Sequence, residues 1–442
     1  MMVFSNNLRA SLALMLVPIC SSAKLPSMDS YIKKPGIEDS SSFCYVHRNQ
    51  DAIYGQRIKE KVKIASVSKL FTTYYQLKTR GPDFRYETKL RYNSSKKELF
   101  ISGSGDPYMG ERALHFLVSE LNRNGIFEIN KVYFDDSFAV YYDVEVQSML
   151  MWGDAQMPSE VRYHGRSPEK SKKDLIRFFT GWKRSYQNTA TTAERMGVKM
   201  EKNPHLKVGA VELLGQAEAA NFKSDKEILY RSAPLLRYLK DLNTHSNNYV
   251  ADQIVASSGG IAELNKFFKK DLGFDSNDFE FHTGSGLWVN QPYVEGKERV
   301  RTENAKDNLA TCESVMNVLW ELDRLLHRKG YQLQDVVMVA SKDPGSLSKY
   351  SAYKGTPLAS AVLAKTGTLA NATALAGEIS SETGNYFFGI FFETTGGVSK
   401  AVTTYRDNMV RDLMAELGGK NPVDYQSHVF LPFDFDSVAS HK

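Results

Sequence analysis

The period of the apolar positions changes several times along the chain, and each change marks an element. Residues 43–48 and 53–56 read as two short strands joined at the turn Asn49-Gln50-Asp51. Val62, Ile64 and Ala65 then lead into 69–77, where Leu70, Phe71, Tyr74, Tyr75 and Leu77 fall at helical spacing, so a helix is predicted to start at Ser66. Beyond Gly81-Pro82 the alternation of Leu90, Tyr92, Leu99 and Ile101 predicts strands of a separate unit, continued by a helix over 111–124 and a strand over 131–135. Helical spacing returns in 234–242 and 249–255, with Ser246-Asn247-Asn248 as the turn between them. The extended run 361–364 closes on Lys365-Thr366-Gly367, and two further strands, 373–379 and 386–393, meet at the turn Ser381-Glu382-Thr383-Gly384. A glycine on such a strand predicts that another backbone approaches closely at Gly367. A helix over 400–417 ends the pattern.

With 442 residues the chain is long enough for two domains, and 42% apolar with 24% charged residues is a globular composition. No internal stretch of about 18 or more apolar residues offers a membrane span. The N-terminus differs: Arg9 precedes the apolar segment 12–19, and Ser21-Ser22-Ala23 offers small residues for cleavage before Lys24. Residues 1–23 are expected to be an export signal, which places the mature chain in the periplasm or outside the cell. Cys20 suggests a lipoprotein, but Ile19 before it is bulkier than a lipid-attachment site normally tolerates.

Without residues 1–23 the formal net charge falls from +5 to +4, which suits adsorption to an anionic cell wall, is equally typical of proteins with no polyanionic partner, and makes no case for nucleic acid. The run Glu169-Lys170-Ser171-Lys172-Lys173 reads as a solvated helix face. Cys44 and Cys312 would be the cysteines left after cleavage, too few for a disulfide framework or a zinc cluster. They could form one bridge in an oxidising compartment; two unpaired, largely buried thiols are expected. The histidines show no His-Glu-x-x-His pattern, His245 reads as a loop residue, and no Gly-x-Ser-x-Gly elbow occurs.

Three short stretches carry the candidate chemistry: Ser66-Val67-Ser68-Lys69, then Ser246-Asn247-Asn248, then Lys365-Thr366-Gly367. On a helix, positions three apart share a face, so the Lys69 amine can reach the Ser66 hydroxyl. Each motif alone has a plain structural reading. Ser66 would cap an amphipathic helix, and Ser246 and Asn248 would be ordinary capping residues in a turn. Serine and lysine also recur at this spacing at Ser94/Lys97, Ser167/Lys170, Ser346/Lys349 and Ser351/Lys354. What separates Ser66 is its place at a helix start and its company: a turn and a strand with the complementary groups follow in order. Together they supply a hydroxyl nucleophile beside an amine, a hydroxyl-amide bridging element and a cationic strand. Ser346 is the next candidate nucleophile.

In these motifs the chain resembles a class C low-molecular-mass penicillin-binding protein of the D-alanyl-D-alanine carboxypeptidase/endopeptidase family. Gly103-Ser104-Gly105-Asp106-Pro107 resembles its glycine-rich element, Thr283-Gly284-Ser285-Gly286-Leu287 its Gly-Ser-Gly-Leu element, and Ser232-Ala233-Pro234-Leu235 the lead into its Ser-x-Asn helices. The similarity runs from about Cys44 to Gly418. Two departures stand out. The segment between Lys69 and Ser246 is shorter than in typical members, as if an innermost subdomain were missing, which would ease access for cross-linked substrate. The polar stretch 288–304 is either a surface loop or a substrate-facing flap.

The resemblance implies an α/β fold of the transpeptidase/β-lactamase type, with a five-stranded antiparallel sheet flanked by helices and split by an insertion. The expected division is a discontinuous catalytic domain over 24–84 and 232–442, with an inserted mixed α/β domain over 85–231. It further implies a serine DD-peptidase acting on peptidoglycan stem peptides and acylated covalently by β-lactams. Ser66 would be the nucleophile, Lys69 its base and Ser246 the proton relay, while Asn248, Lys365, Thr366, Gly367 and Thr368 would bind substrate. The backbone N–H groups of Ser66 and Thr368 would form the oxyanion hole. Water would release the acyl group, so no metal or cofactor is called for. The motifs leave two alternatives open, a β-lactamase and a non-catalytic wall-binding or β-lactam-sensing protein.

Overall fold

The structure, a computed structural model, describes residues 28–135, 138, 176–177, 179–180, 183–214, 216–287, 306–355 and 357–441. The expected leader, the charge run at 169–173 and the polar stretch 288–304 lie outside them. In chain order the strands are β1 (Ser42–His47), β2 (Tyr54–Gln56), β3 (Lys61–Lys63), β4 (Glu87–Asn93), β5 (Glu98–Ser102), β6 (Glu128–Phe134), β7 (Lys207–Leu213), β8 (Lys226–Arg231), β9 (Phe279–Glu280), β10 (Leu309–Thr311), β11 (Val362–Leu369), β12 (Ala372–Ser381), β13 (Gly384–Glu393) and β14 (Val438–His441).

The central sheet has the order β11-β12-β13-β1-β2, antiparallel throughout, so the first and last thirds of the chain build one body. Every residue of β12 is buried. The alternation of a strand divides its side chains between two cores. Ala374 and Ala376 join Val315 and Leu319 of the helix Cys312–Arg328, while Leu375 and Ile379 join Val410 and Leu413 of the helix Lys400–Glu416. Helices on both faces explain why these strands read as continuous apolar runs rather than alternating ones.

A second sheet, β14-β8-β4-β5-β6-β7, is mixed, with β5, β6 and β7 parallel and the rest antiparallel. Its middle strands come from the segment expected to form the insertion. Its edge strand β14 comes from the C-terminus, which therefore reaches across to pair with β8.

The cysteines correct an expectation. Cys44 on β1 and Cys312 at the start of the helix Cys312–Arg328 form a disulfide, although unpaired thiols were expected. Both side chains are buried, and the helix lies directly on β1, which brings the two Cα atoms to 6.0 Å. That spacing lies within the range a disulfide spans. The strand 361–364 also runs further than predicted, through Leu369, because its pairing with β12 continues to Ala372. Lys365-Thr366-Gly367 thus sits inside an edge strand instead of at its end.

Candidate active site

Ser66 lies in a single 3-10 turn, Ala65–Val67, that feeds the α-helix Ser68–Thr79. The residue before it, Ala65, holds φ at +47°, a left-handed conformation uncommon outside glycine. The turn is fixed from beneath. Ser68 Oγ donates to Ala65 O at 2.7 Å, and Asn308 Nδ2 donates to Ser68 Oγ at 3.1 Å. Asn308 is itself buried and braced, donating to Thr283 O at 2.7 Å and accepting from the His282 and Thr283 amides.

Lys69, one turn on, is fully buried with its amine among three oxygens: Ser66 Oγ at 3.0 Å, Asn248 Oδ1 at 2.6 Å and the Ser285 carbonyl at 2.8 Å. Burial disfavours the ammonium and pulls its pKa down to about 7, partly offset by the Asp252 carboxylate. A neutral amine has two N–H donors and one lone pair. Asn248 Oδ1 and Ser285 O can only accept, so they take the two donors and leave the lone pair directed at the Ser66 hydroxyl.

Ser246 ends the helix Leu235–His245 in a left-handed conformation, φ +58°. Asn247 points inward and caps the next helix, Asn248–Ala256, by accepting from Val250 N at 3.0 Å. With the middle residue occupied in this way, Ser246 and Asn248 both turn outward into the site. Ser246 Oγ accepts from Lys365 Nζ at 2.8 Å. Lys365 also donates to Thr366 O at 2.7 Å, and burial, then the neighbouring charges of Lys69 and Lys349, drives it toward the neutral form.

The edge strand β11 closes the site. Ala364 N donates to Met338 O and Val362 O accepts from Ala340 N, so the even-numbered residues turn their peptide groups away from β12. The same parity puts the Thr366 and Thr368 backbone groups on the outer edge, beyond the stretch that 338–340 covers. Gly367 bears out its expected close approach: a β-carbon there would lie 2.9 Å from Ile64 O. Thr368 is exposed. Thus Ser66, Lys69 and Asn248 form one hydrogen-bonded set, and Ser246, Lys365 and Thr366 a second set beside it. Sequence reasoning missed three participants, the Ser285 carbonyl, Asp252 and Asn308, and read Ser346 as a second candidate nucleophile, whereas its Oγ accepts from Thr366 Oγ1 at 2.9 Å.

Comparison with known proteins decides the class of this site. Residues 25–160 and 303–416 match the D-Ala-D-Ala carboxypeptidase 3 (S13) family. The chain belongs to that family. It is accordingly a serine-type DD-peptidase of peptidoglycan. The predatory endopeptidase Bd3459 of Bdellovibrio bacteriovorus, solved in complex with immunity protein Bd3460, is similar at 30% identity over 90% of this chain and 99% of its own, with TM-score 0.78. Bd3459 acylated by penicillin G in the same complex also aligns at 30% identity, 90% and 99% coverage and TM-score 0.73. Penicillin binding protein 4 of Haemophilus influenzae shares the fold at 16% identity, covering 87% of this chain and 99% of its own, with TM-score 0.56. No match was found among the curated protein sequences compared. Among the described residues no helix is long and apolar enough to cross a membrane.

Proposed function

We propose that the chain is a DD-endopeptidase that opens D-Ala cross-links of peptidoglycan through an acyl-enzyme on Ser66, and that penicillin acylates the same residue. The observation that carries this reading is the buried Lys69 amine held 3.0 Å from Ser66 Oγ. Lys69 takes the hydroxyl proton as Ser66 Oγ bonds to the D-Ala carbonyl carbon. The Ser66 and Thr368 backbone N–H groups hold the developing oxyanion, where losing one donor costs about 3 kcal/mol. The C–N bond then breaks as Ser246 gives its hydroxyl proton to the departing amine and takes in its place the proton that Lys69 holds, which leaves Lys69 neutral again. Water attacks the ester, its proton returns through Lys69, and Ser66 is restored. Asn248 holds the peptide, and Thr366 and Thr368 receive the substrate carboxylate while its backbone adds to the outer edge of β11.

The endopeptidase assignment draws on the likeness to Bd3459, a predatory endopeptidase, and on the shortened segment before Ser246. A β-lactamase would need a base to deacylate penicilloyl-Ser66, and among the described residues no carboxylate hydrogen-bonds Ser66. Export from the cytoplasm is supported by the leader-like N-terminus and by the Cys44–Cys312 bond, since disulfides persist in oxidising compartments. The test is digestion of purified sacculi by the wild type and by Ser66→Ala, with muropeptides measured by mass. Loss of cross-linked dimers with the wild type alone is expected; loss of terminal D-Ala with dimers intact would make the enzyme a carboxypeptidase. Penicillin labelling that survives in Ser66→Ala would move the nucleophile elsewhere.

A further inference from the structure

A later Ser-x-x-Lys of the chain, Ser346 to Lys349, forms a wall of the site built on Ser66 and Lys69. The segment leading to it is pinned by Asp343, a buried carboxylate with every oxygen occupied. Asp343 Oδ2 accepts from Lys240 Nζ at 2.6 Å and Val339 N at 2.8 Å, and Oδ1 accepts from Tyr425 and Ser427 at 2.8 Å each. Lys240 lies on the helix that ends at Ser246, so the pair ties this wall to the Ser246 turn. Gly345 then passes so close to the same helix end that a β-carbon would lie 2.2 Å from Thr244 O. The 3-10 turn Ser346–Lys349 follows, with Leu347 buried beneath it and Ser346 Oγ on Thr366.

A 3-10 helix has three residues per turn, so side chains at positions i and i+3 eclipse one another. Lys349 therefore stands over Ser346, one turn further out, and is exposed. Among the described residues it makes no ion pair. Lys365, below it, is sealed from water and gives its hydrogen bonds to Ser246 and Thr366 O. Burial and the repulsion of Lys349 both oppose a full charge on Lys365. The cation available to an arriving anion is thus Lys349.

The DD-peptidase reading supplies the anion, and the inference rests on that reading. Terminal D-Ala carries a carboxylate on the carbon that bears the departing amine, and so does a cross-linking diamino acid whose reacting amine sits on an α-carbon. The geometry points to Lys349 as the specificity-determining cation for that carboxylate, with Ser346, which accepts from Thr366 Oγ1, as the residue that fixes the Thr366 side chain beside it. A leaving group whose carboxylate is amidated is disfavoured at this wall.

The experiment uses the mature chain and an acylated tripeptide ending in D-Ala-D-Ala, offered as the free acid and as the C-terminal amide. The wild type prefers the acid. In Lys349→Met the ratio of kcat/KM for acid over amide falls about tenfold, the loss of one charge-assisted contact. Lys349→Arg keeps the preference. Ser346→Ala lowers the ratio through KM, and Ser346→Thr, which keeps the hydroxyl, restores it. An undiminished acid preference in Lys349→Met overturns this inference and leaves the peptidase reading standing. Where the wild type opens sacculi but spares both peptides, the same ratio is read on cross-linked muropeptide dimers with that carboxyl free and amidated; a wild type that cleaves none of these substrates overturns both.

Discussion

The α-carbon of Gly286 rests against the carbonyl oxygen of Ala65, so close that a β-carbon on Gly286 would lie 1.9 Å from it. Gly286 also holds φ at +79°, which a side chain disfavours. The contact sets the distance between the segment that carries the Ser285 carbonyl and the turn that carries Ser66. Gly286→Ala must therefore push the two apart, displacing an acceptor of the Lys69 amine. A misplacement of about 1 Å at a reacting group can cost a hundredfold in rate. Penicillin acylation of Gly286→Ala, followed by mass, is expected to slow by about that factor; a rate within threefold of the wild type would show that the segments adjust freely.

Lys69 sets the pH dependence. Its amine is held down to about 7 by burial, from an ordinary value of 10.5. Acylation needs the neutral form, so its rate rises with pH up to about 7 and then levels. Asp252 pulls the other way, favouring the ammonium. Removing its charge in Asp252→Asn, which retains an oxygen to accept from the Ser285 amide, lowers the Lys69 pKa further. The acid limb then moves to lower pH, by about half a unit to one unit. Acylation rates between pH 5 and 9 check this, and a limb that moves to higher pH would contradict it. Stability follows the same sign. Between about 7 and 10.5 the unfolded chain binds the Lys69 proton and the folded chain does not, so this group adds stability as the pH rises. The contribution is smallest at and below about 7, and Lys69→Met removes that slope from urea titrations.

Most of the reactive set was legible from the sequence because each member carries its chemistry in its side chain and sits on an element with a clear period. Ser66, Lys69, Ser246, Asn248 and Lys365 all belong to that class, and Gly367 announced a close backbone approach. The Ser285 contribution was hidden for the opposite reason: it acts through a carbonyl that every residue has. Asn308 stands alone, without a motif, and its role depends on partners at Ser68 and Thr283 that only the fold brings together. Ser346 was visible as a Ser-x-x-Lys pair, but its meaning lay in the packing of its turn on β11. The pairing of two cysteines 268 residues apart leaves no periodic trace at all.

That disulfide has a measurable consequence. It closes a loop of 268 residues, and it joins β1 to the helix that follows β10, itself paired with the β3 strand leading to Ser66. Restricting so long a loop in the unfolded chain is worth about 5 kcal/mol. The double variant Cys44→Ala/Cys312→Ala should lose about this amount in urea unfolding, and the wild type should lose the same on adding a reductant under unfolding conditions. A wild-type urea midpoint indifferent to reductant would mean that the thiols stay free.

Asn308 offers the sharpest separation of structure from chemistry, because it touches none of the reacting groups yet holds the floor under them. Its amide donates to Ser68 Oγ and Thr283 O, while its oxygen accepts from the His282 and Thr283 amides. Asn308→Ala strands these buried groups without partners and should cost about 3 kcal/mol in urea unfolding. Asn308→Asp keeps the shape but turns the donor into an acceptor facing Thr283 O and buries a carboxylate, so it should cost at least as much at neutral pH. Protonating that carboxylate restores a donor, so Asn308→Asp should recover toward the wild type as the pH falls, whereas Asn308→Ala should not. Parallel pH profiles for the two variants would show that the site is held by packing and not by these hydrogen bonds.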